Sequence, residues 1–126
     1  MGYYSEVGLA LTAKGITGLH KLLEREEIEL AAKEEIEGFL GYADHHFTDA
    51  DTKAEVWHWK AIKWYTCDPK YYPAVDFLDR LLATLDEDEF RFIRIGEDYD
   101  DTEVRGYFWE NPFDLELARS ITIQPA

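Results

Sequence analysis

The chain has 126 residues, 46% of them hydrophobic and 15% aromatic, and its 27 Asp and Glu outnumber 13 Lys and Arg to leave a formal net charge of −14. That much apolar mass excludes a disordered acidic tail, and the length suits a single domain over residues 1–126 with a core of its own. The charge disfavours direct binding to nucleic acid or to an anionic membrane, because either would require a basic surface.

Residues 3–11 alternate, with Val7, Leu9 and Leu11 on one face, and predict a first strand. Thr12 is placed to cap a helix in which Ile16, Leu19, Leu22 and Leu23 recur at helical spacing. The pattern predicts that this helix runs on into the acidic stretch 24–37 and stops before Gly38. Residues 36–47 and 54–65 are rich in aromatic and β-favouring types and predict a hairpin joined through Asp49-Ala50-Asp51. The second arm carries Val56, Trp57, Trp59, Ile62, Trp64 and Tyr65, apolar on both faces, which suits a central strand.

Asp68-Pro69 predicts a turn. Pro73 fits only at the start of the following helix, whose stripe is Val75, Leu78, Leu81, Leu82 and Leu85. Residues 90–95 predict a strand ended by Gly96, and the acidic run 97–103 a loop. Residues 104–109 and 115–123 predict two more strands around Asn111-Pro112. The resulting order, β-α-β-β-α-β with a β extension, predicts an α+β fold. Two helices would lie on one face of a mainly antiparallel sheet, in a ferredoxin-like or split β-α-β arrangement.

Three groups of residues are candidates for chemistry. Asp98, Asp100, Asp101 and Glu103 could supply oxygen ligands to calcium or magnesium, but the spacing lacks the glycine and distal glutamate of a helix-loop-helix calcium site, and a solvated turn explains them more simply. Asp44, His45, His46, Asp49 and Asp51 offer transition-metal donors. Adjacent histidines on a strand point to opposite faces, so His45 and His46 do not chelate one ion together, whereas His58 across the hairpin would restore a cluster. His20 reads as a helix-surface residue. The rings of Trp57, Trp59, Trp64, Tyr65, Tyr71, Tyr72, Phe108 and Trp109 are mainly core material, with a surplus ring beside acid serving as an anchor for a protein partner.

Cys67 is the only cysteine; it excludes an intrachain disulfide and has no surrounding arrangement that marks a nucleophile. Ser5 and Ser120 lie outside any nucleophile-elbow pattern, and Gly38 and Gly41 form no phosphate-cradling loop. The expectation is a non-enzyme without cofactor or resident metal. The first residues lack the basic and apolar regions of a signal peptide, and no stretch has the length of a membrane span, so the expected setting is the cytoplasm.

The acidic residues themselves form the expected binding surface. They gather as Glu24, Glu26, Glu27, Glu34 and Glu37 in the first helical region and as Glu97, Asp98, Asp100, Asp101 and Glu103 after the 90–95 strand. Carboxylates repeated along a helix approach the charge spacing of a nucleic-acid backbone, so mimicry of DNA or RNA toward a protein that grips one is a specific form of this expectation. Surface charge that merely keeps the chain dissolved is the plainer form.

Four segments, Gly2-Tyr3-Tyr4-Ser5-Glu6-Val7, Trp59-Lys60-Ala61-Ile62-Lys63-Trp64-Tyr65, Phe92-Ile93-Arg94-Ile95-Gly96-Glu97-Asp98-Tyr99-Asp100-Asp101 and Arg119-Ser120-Ile121, resemble a set of small accessory proteins of tailed bacteriophages and prophages. The likeness covers most of the chain in order, through short words, and brings no activity with it. It implies a phage gene acting in the bacterial cytoplasm, with inhibition or modulation of a host protein, such as a defence or nucleic-acid-handling one, as the expected mode. A metal- or small-ligand-binding protein and a virion or assembly component are the alternatives, and monomer and homodimer both remain open. Within these words Arg94 or Arg119 could pair with Asp100 or Asp101 and pin the acidic loop, the alternative being that this loop is the working surface.

Overall fold

The strand that opens the chain, β1 (Ser5–Leu11), becomes the centre of the sheet. The computed structural model describes residues 2–25, 30–66, 70–98, 100–108, 111–113, 115 and 117. After β1 come α1 (Ala13–Leu23), α2 (Leu30–Gly41), β2 (His45–Thr48), β3 (Glu55–Ile62), α3 (Pro73–Thr84), β4 (Phe90–Ile95) and β5 (Thr102–Arg105), with one 3-10 turn at Glu87–Glu89. The five strands form one sheet in the order β2-β3-β1-β4-β5, and every neighbouring pair is antiparallel. The α+β class and the antiparallel sheet expected from the sequence are therefore present.

Register explains why β1 is central. Leu9 lies between Trp57 of β3 and Phe92 of β4, and Val7 between Trp59 and Arg94. Such cross-strand pairs of large apolar side chains are the unit of sheet stabilisation. Val7, Leu9, Leu11, Trp57, Trp59, Phe90 and Phe92 face the helices, and all three helices contribute to the same core, through Leu19 and Leu22, Ile36, and Ala74 to Leu82. On the other face Ala10, Val56 and Ile93 are also buried, and the Leu115 side chain lies over Gly8 at a distance that would crowd any Cβ there.

The helix signals read from the sequence are used. The Thr12 hydroxyl accepts from the Gly15 N–H at 3.1 Å, satisfying one of the unpaired donors at the start of α1. Pro73 opens α3, where its missing N–H costs nothing, and that helix buries Ala74, Val75, Phe77, Leu78, Leu81 and Leu82.

Several expectations fail, each for a physical reason. Among the described residues there are three α-helices where two were expected: α1 stops at Leu23, where its buried stripe of Gly15, Leu19 and Leu22 has no apolar successor and Glu24 sits unfavourably at the negative end of the helix dipole. Residues 36–41, expected in a strand, complete α2, because Ile36, Phe39 and Leu40 meet the core at helical spacing and tertiary packing overrides the β preference of the rings. The first hairpin arm is accordingly only His45–Thr48. The strand expected at 104–109 lies earlier, at Thr102–Arg105, so the acidic run is part strand. Gly106, with φ of 85°, ends it. The strand expected at 115–123, the turn at 68–69, Cys67, Trp109 and Arg119 lie wholly or largely outside the described residues.

Candidate functional site

The ten carboxylates expected to form a binding surface divide by what they touch. Glu24, Glu34, Glu37, Glu97, Asp98 and Asp100 are exposed, and Glu26 and Glu27 fall outside the described residues. Asp101 and Glu103 are occupied internally. Arg94 on β4 donates from Nη2 to Asp101 Oδ1 at 2.7 Å, from Nη1 to Asp101 Oδ2 at 3.1 Å, and from Nε to Glu103 Oε1 at 3.2 Å. Its Nη1 also reaches Ser5 Oγ at 3.2 Å, and the Tyr3 hydroxyl donates to Asp101 Oδ2 at 2.6 Å. Hydrogen bonds from Arg94 first, and then Tyr3, hold the Asp101 carboxyl at a pKa of about 2. The pinning of the loop by arginine is thus made by Arg94 on Asp101.

This arrangement does not gather calcium ligands. Two of the four loop carboxylates are committed to a guanidinium, and among the described residues the acids whose oxygens converge are instead Asp86, Asp88 and Glu89, around the 3-10 turn. Glu97 accepts from the Tyr4 N–H at 3.0 Å, tying the opening of the chain to the same turn.

The histidines separate as the strand period requires. His45 lies opposite His58, with the two Nδ1 atoms 3.0 Å apart, and His58 Nε2 lies 2.7 Å from Glu6 Oε2. His46 is on the other face, stacked on Trp57 at 5.0 Å and bonded through Nε2 to Glu55 at 2.9 Å. The neighbouring aspartates serve the backbone. Asp44 accepts from the Lys60 N–H at 2.7 Å, and Asp49 accepts from both the N–H and hydroxyl of Thr52, bonds that lower its pKa. His20 is exposed on α1.

The exposed acids of α2 have an apolar neighbour. A cleft of about 320 Å³ opens between the C-terminal half of α2 and the start of α3; Glu35, Gly38, Phe39 and Tyr42 line one side, and Lys63 and Tyr71 to Val75 the other. Tyr42 is 84% exposed and Tyr71 69% exposed, although both rings are large enough to have entered the core. Glu34, Glu35 and Glu37 are all exposed on α2, and of these Glu35 lines the cleft while Glu37 faces the other side of the helix, toward Leu40, Gly41 and Trp57. Trp57, Trp59 and Trp64 are not its anchors: all three are buried, and Trp59 donates its indole N–H to the Phe39 carbonyl at 3.1 Å.

A strand over 36–47 puts Phe39 on the face opposite Gly38 and Tyr42, so the sequence does not group these cleft residues, and Glu35 stands in the acidic stretch 24–37 with nothing to single it out. Glu6 was also missed, although the period of two puts it on the same side of β1 as Gly8, the residue opposite His58. The described residues define an α+β protein with a five-stranded antiparallel sheet, three α-helices and an aromatic cleft lined by Glu35. Comparison with known proteins finds no matching family model and no significant match among curated proteins or solved structures. Among the described residues, no helix is long and apolar enough to cross a membrane.

Proposed function

We propose that this protein acts by binding a basic protein, with the outer surface of α2 and its cleft as the contact site. The observation that carries the reading is the exposure of Tyr42 and Tyr71 at the mouth of a cleft that Glu35 also lines. Exposed aromatic rings flanking a pocket are the residues that most often anchor protein interfaces, and carboxylates around them steer and orient a cationic partner. The net charge of −14 extends that attraction over the whole molecule.

The phage resemblance gives this binding a setting, in which the partner is a bacterial host protein that is inhibited or modulated. Nucleic-acid mimicry is a narrower form. Glu34, Glu35 and Glu37 occupy a single turn of α2, which is short for a surface that follows a phosphate backbone, so a basic protein patch is the better match. We also read the first four strands as a ferredoxin-like core to which β5 is added. The antiparallel order 2-3-1-4 and the placement of helices between β1 and β2 and between β3 and β4 support that reading.

The test is affinity capture from bacterial lysate with the wild-type chain, an E34K/E35K/E37K variant and a Y42A/Y71A variant, each checked for folding by circular dichroism. The expected result is a protein retained by the wild type at low salt, released as salt rises, and lost from both variants. Retention that ignores ionic strength, or equal retention by all three proteins, overturns the reading.

A further inference from the structure

The histidine pair on the sheet face turned away from the helices stands apart from the α2 cleft and has a geometry of its own. His45 and His58 are direct cross-strand partners on β2 and β3, and their rings lie within 14° of parallel. The ring centres are 5.2 Å apart while the facing Nδ1 atoms are 3.0 Å apart. Rings laid one over the other would not give that difference; the imidazoles meet edge to edge, nitrogen toward nitrogen. Beyond His58, its Nε2 lies 2.7 Å from the Glu6 carboxylate.

These contacts assign the protons. A carboxylate only accepts, so His58 carries its proton on Nε2 and gives it to Glu6. With both rings neutral, its Nδ1 is then a lone pair that accepts the Nδ1 proton of His45. A carboxylate behind the far nitrogen of a histidine is the partner that orients metal-bound imidazoles and raises their basicity. The near nitrogens are already spaced for this purpose. Metal–nitrogen bonds of about 2.0–2.1 Å at tetrahedral or right angles place two ligand nitrogens roughly 2.9–3.3 Å apart.

We infer that His45 and His58 form a binding site for a borderline transition-metal dication of the zinc, nickel or copper type, with Glu6 as the residue that positions His58. Binding requires no backbone movement. Each ring turns about its Cβ–Cγ bond so that both Nδ1 lone pairs point at one ion, and the His45 proton transfers to its outer nitrogen, Nε2, leaving both imidazoles neutral. Water completes the coordination sphere. A pocket of about 100 Å³ bordered by Glu6, Gly8, His58, Ile93, Ile95 and Leu115 lies on the far side of His58 from His45, and His45 itself is exposed to solvent. Two protein ligands are fewer than the three or four of catalytic and structural zinc sites, so the affinity is modest and the ion exchangeable. Hard ions such as calcium and magnesium, which prefer oxygen donors, are excluded from the pair.

Calorimetric titration of the chelator-treated full chain with zinc, nickel and copper tests the site. One equivalent is expected to bind, with H45A and H58A each abolishing the saturable heat and E6Q weakening affinity by roughly 10–100-fold. H46Q, on the opposite face, should bind as the wild type does. The wild type also supplies a readout independent of any variant. In nitrogen-15 spectra of the side chains, zinc should shift both Nδ1 signals and move the His45 proton to Nε2. Absence of binding overturns the inference, as does binding unchanged in H45A and H58A or zinc that leaves both imidazole spectra unaltered.

Discussion

Arg94 of β4 and Asp101 of the β4–β5 turn are joined by two nearly parallel hydrogen bonds, of 2.7 and 3.1 Å. The planar guanidinium matches the carboxylate fork, and this bidentate geometry fixes orientation as well as supplying attraction. Because the same guanidinium reaches Glu103 and Ser5, and the same carboxylate accepts from Tyr3, one pair ties together the opening of the chain, β4 and the start of β5. An acidic run that reads as a solvated loop is therefore divided into a structural portion, Asp101 and Glu103, and an exposed portion, Glu97, Asp98 and Asp100.

That division predicts opposite outcomes for adjacent residues. Asp101→Asn should lower the melting temperature by several degrees, because it leaves the largely buried Arg94 guanidinium without its main counter-charge. Asp100→Asn, at an exposed position, should leave it within experimental error of the wild type. Parallel thermal melts check both, and equal effects at the two positions would contradict the division.

The same pair sets an acid limb. Asp101 titrates at about 2 when folded, below its ordinary value of 3.8, so the stability it contributes is fully present above pH ~4 and is lost as pH falls toward ~2. The difference in melting temperature between wild type and Asp101→Asn should be constant from neutrality down to about pH 5 and then shrink through that window. Tyr3 carries the opposite sign. Its hydrogen bond to Asp101 raises its pKa, so its contribution is present below its ordinary value of 10.0 and is lost as pH rises through the raised one. Melts across both limits measure these two losses.

Much of this framework is legible in the sequence because local chemistry and tertiary packing agree there. Thr12 is a cap in both views, Pro73 opens a helix in both, and the alternation Val7, Leu9, Leu11 puts a core face on β1 that the sheet then uses on both sides. Where they disagree, the reading fails. Phe39 and Tyr42 favour strands by type, yet the spacing Ile36, Phe39, Leu40 fits the helix that packs against Trp59, and only the tertiary partner decides between the two periods. The cleft inherits that failure, since its walls are α2 and the approach to α3. The histidine pair needed only the hairpin register to be found, but its Glu6 partner needed the β1–β3 register, which no local pattern encodes.

Trp59 tests how α2 is held. Its ring centre lies 4.9 Å from that of Phe39, and its indole N–H donates to the Phe39 carbonyl at the end of the helix. Trp59→Phe removes ring volume from a buried site together with a donor to an end-of-helix carbonyl, and should cost about 2–4 kcal/mol by denaturant unfolding. Because α2 bears the cleft, this variant should also expose α2 amides to hydrogen exchange before those of β1. Uniform loss of protection across the chain would mean that the indole supports the whole core rather than the helix.

Gly38 and Gly106 should respond in opposite directions to the same added methyl group. At Gly106 the backbone has φ of 85°, and a Cβ would collide with the Phe90 carbonyl, so Gly106→Ala should destabilise by roughly 1–3 kcal/mol. Gly38 lies inside α2, and apart from its chain neighbours and the helix's own nearby backbone no atom lies within 4 Å of where its Cβ would be. Gly38→Ala should therefore stabilise by about 0.5–1 kcal/mol, by reducing the freedom of the unfolded chain in a helix interior. The open space above Gly38 is also part of the cleft, so a larger residue probes function without damaging the fold. Gly38→Leu should remain at least as stable as the wild type by thermal melting, yet lose the partner captured by the wild-type chain, because its side chain fills the space between Tyr42 and Tyr72. A Gly38→Leu protein that is stable and still binds at full strength would remove the cleft from the interface and leave only the exposed carboxylates of α2 to account for binding.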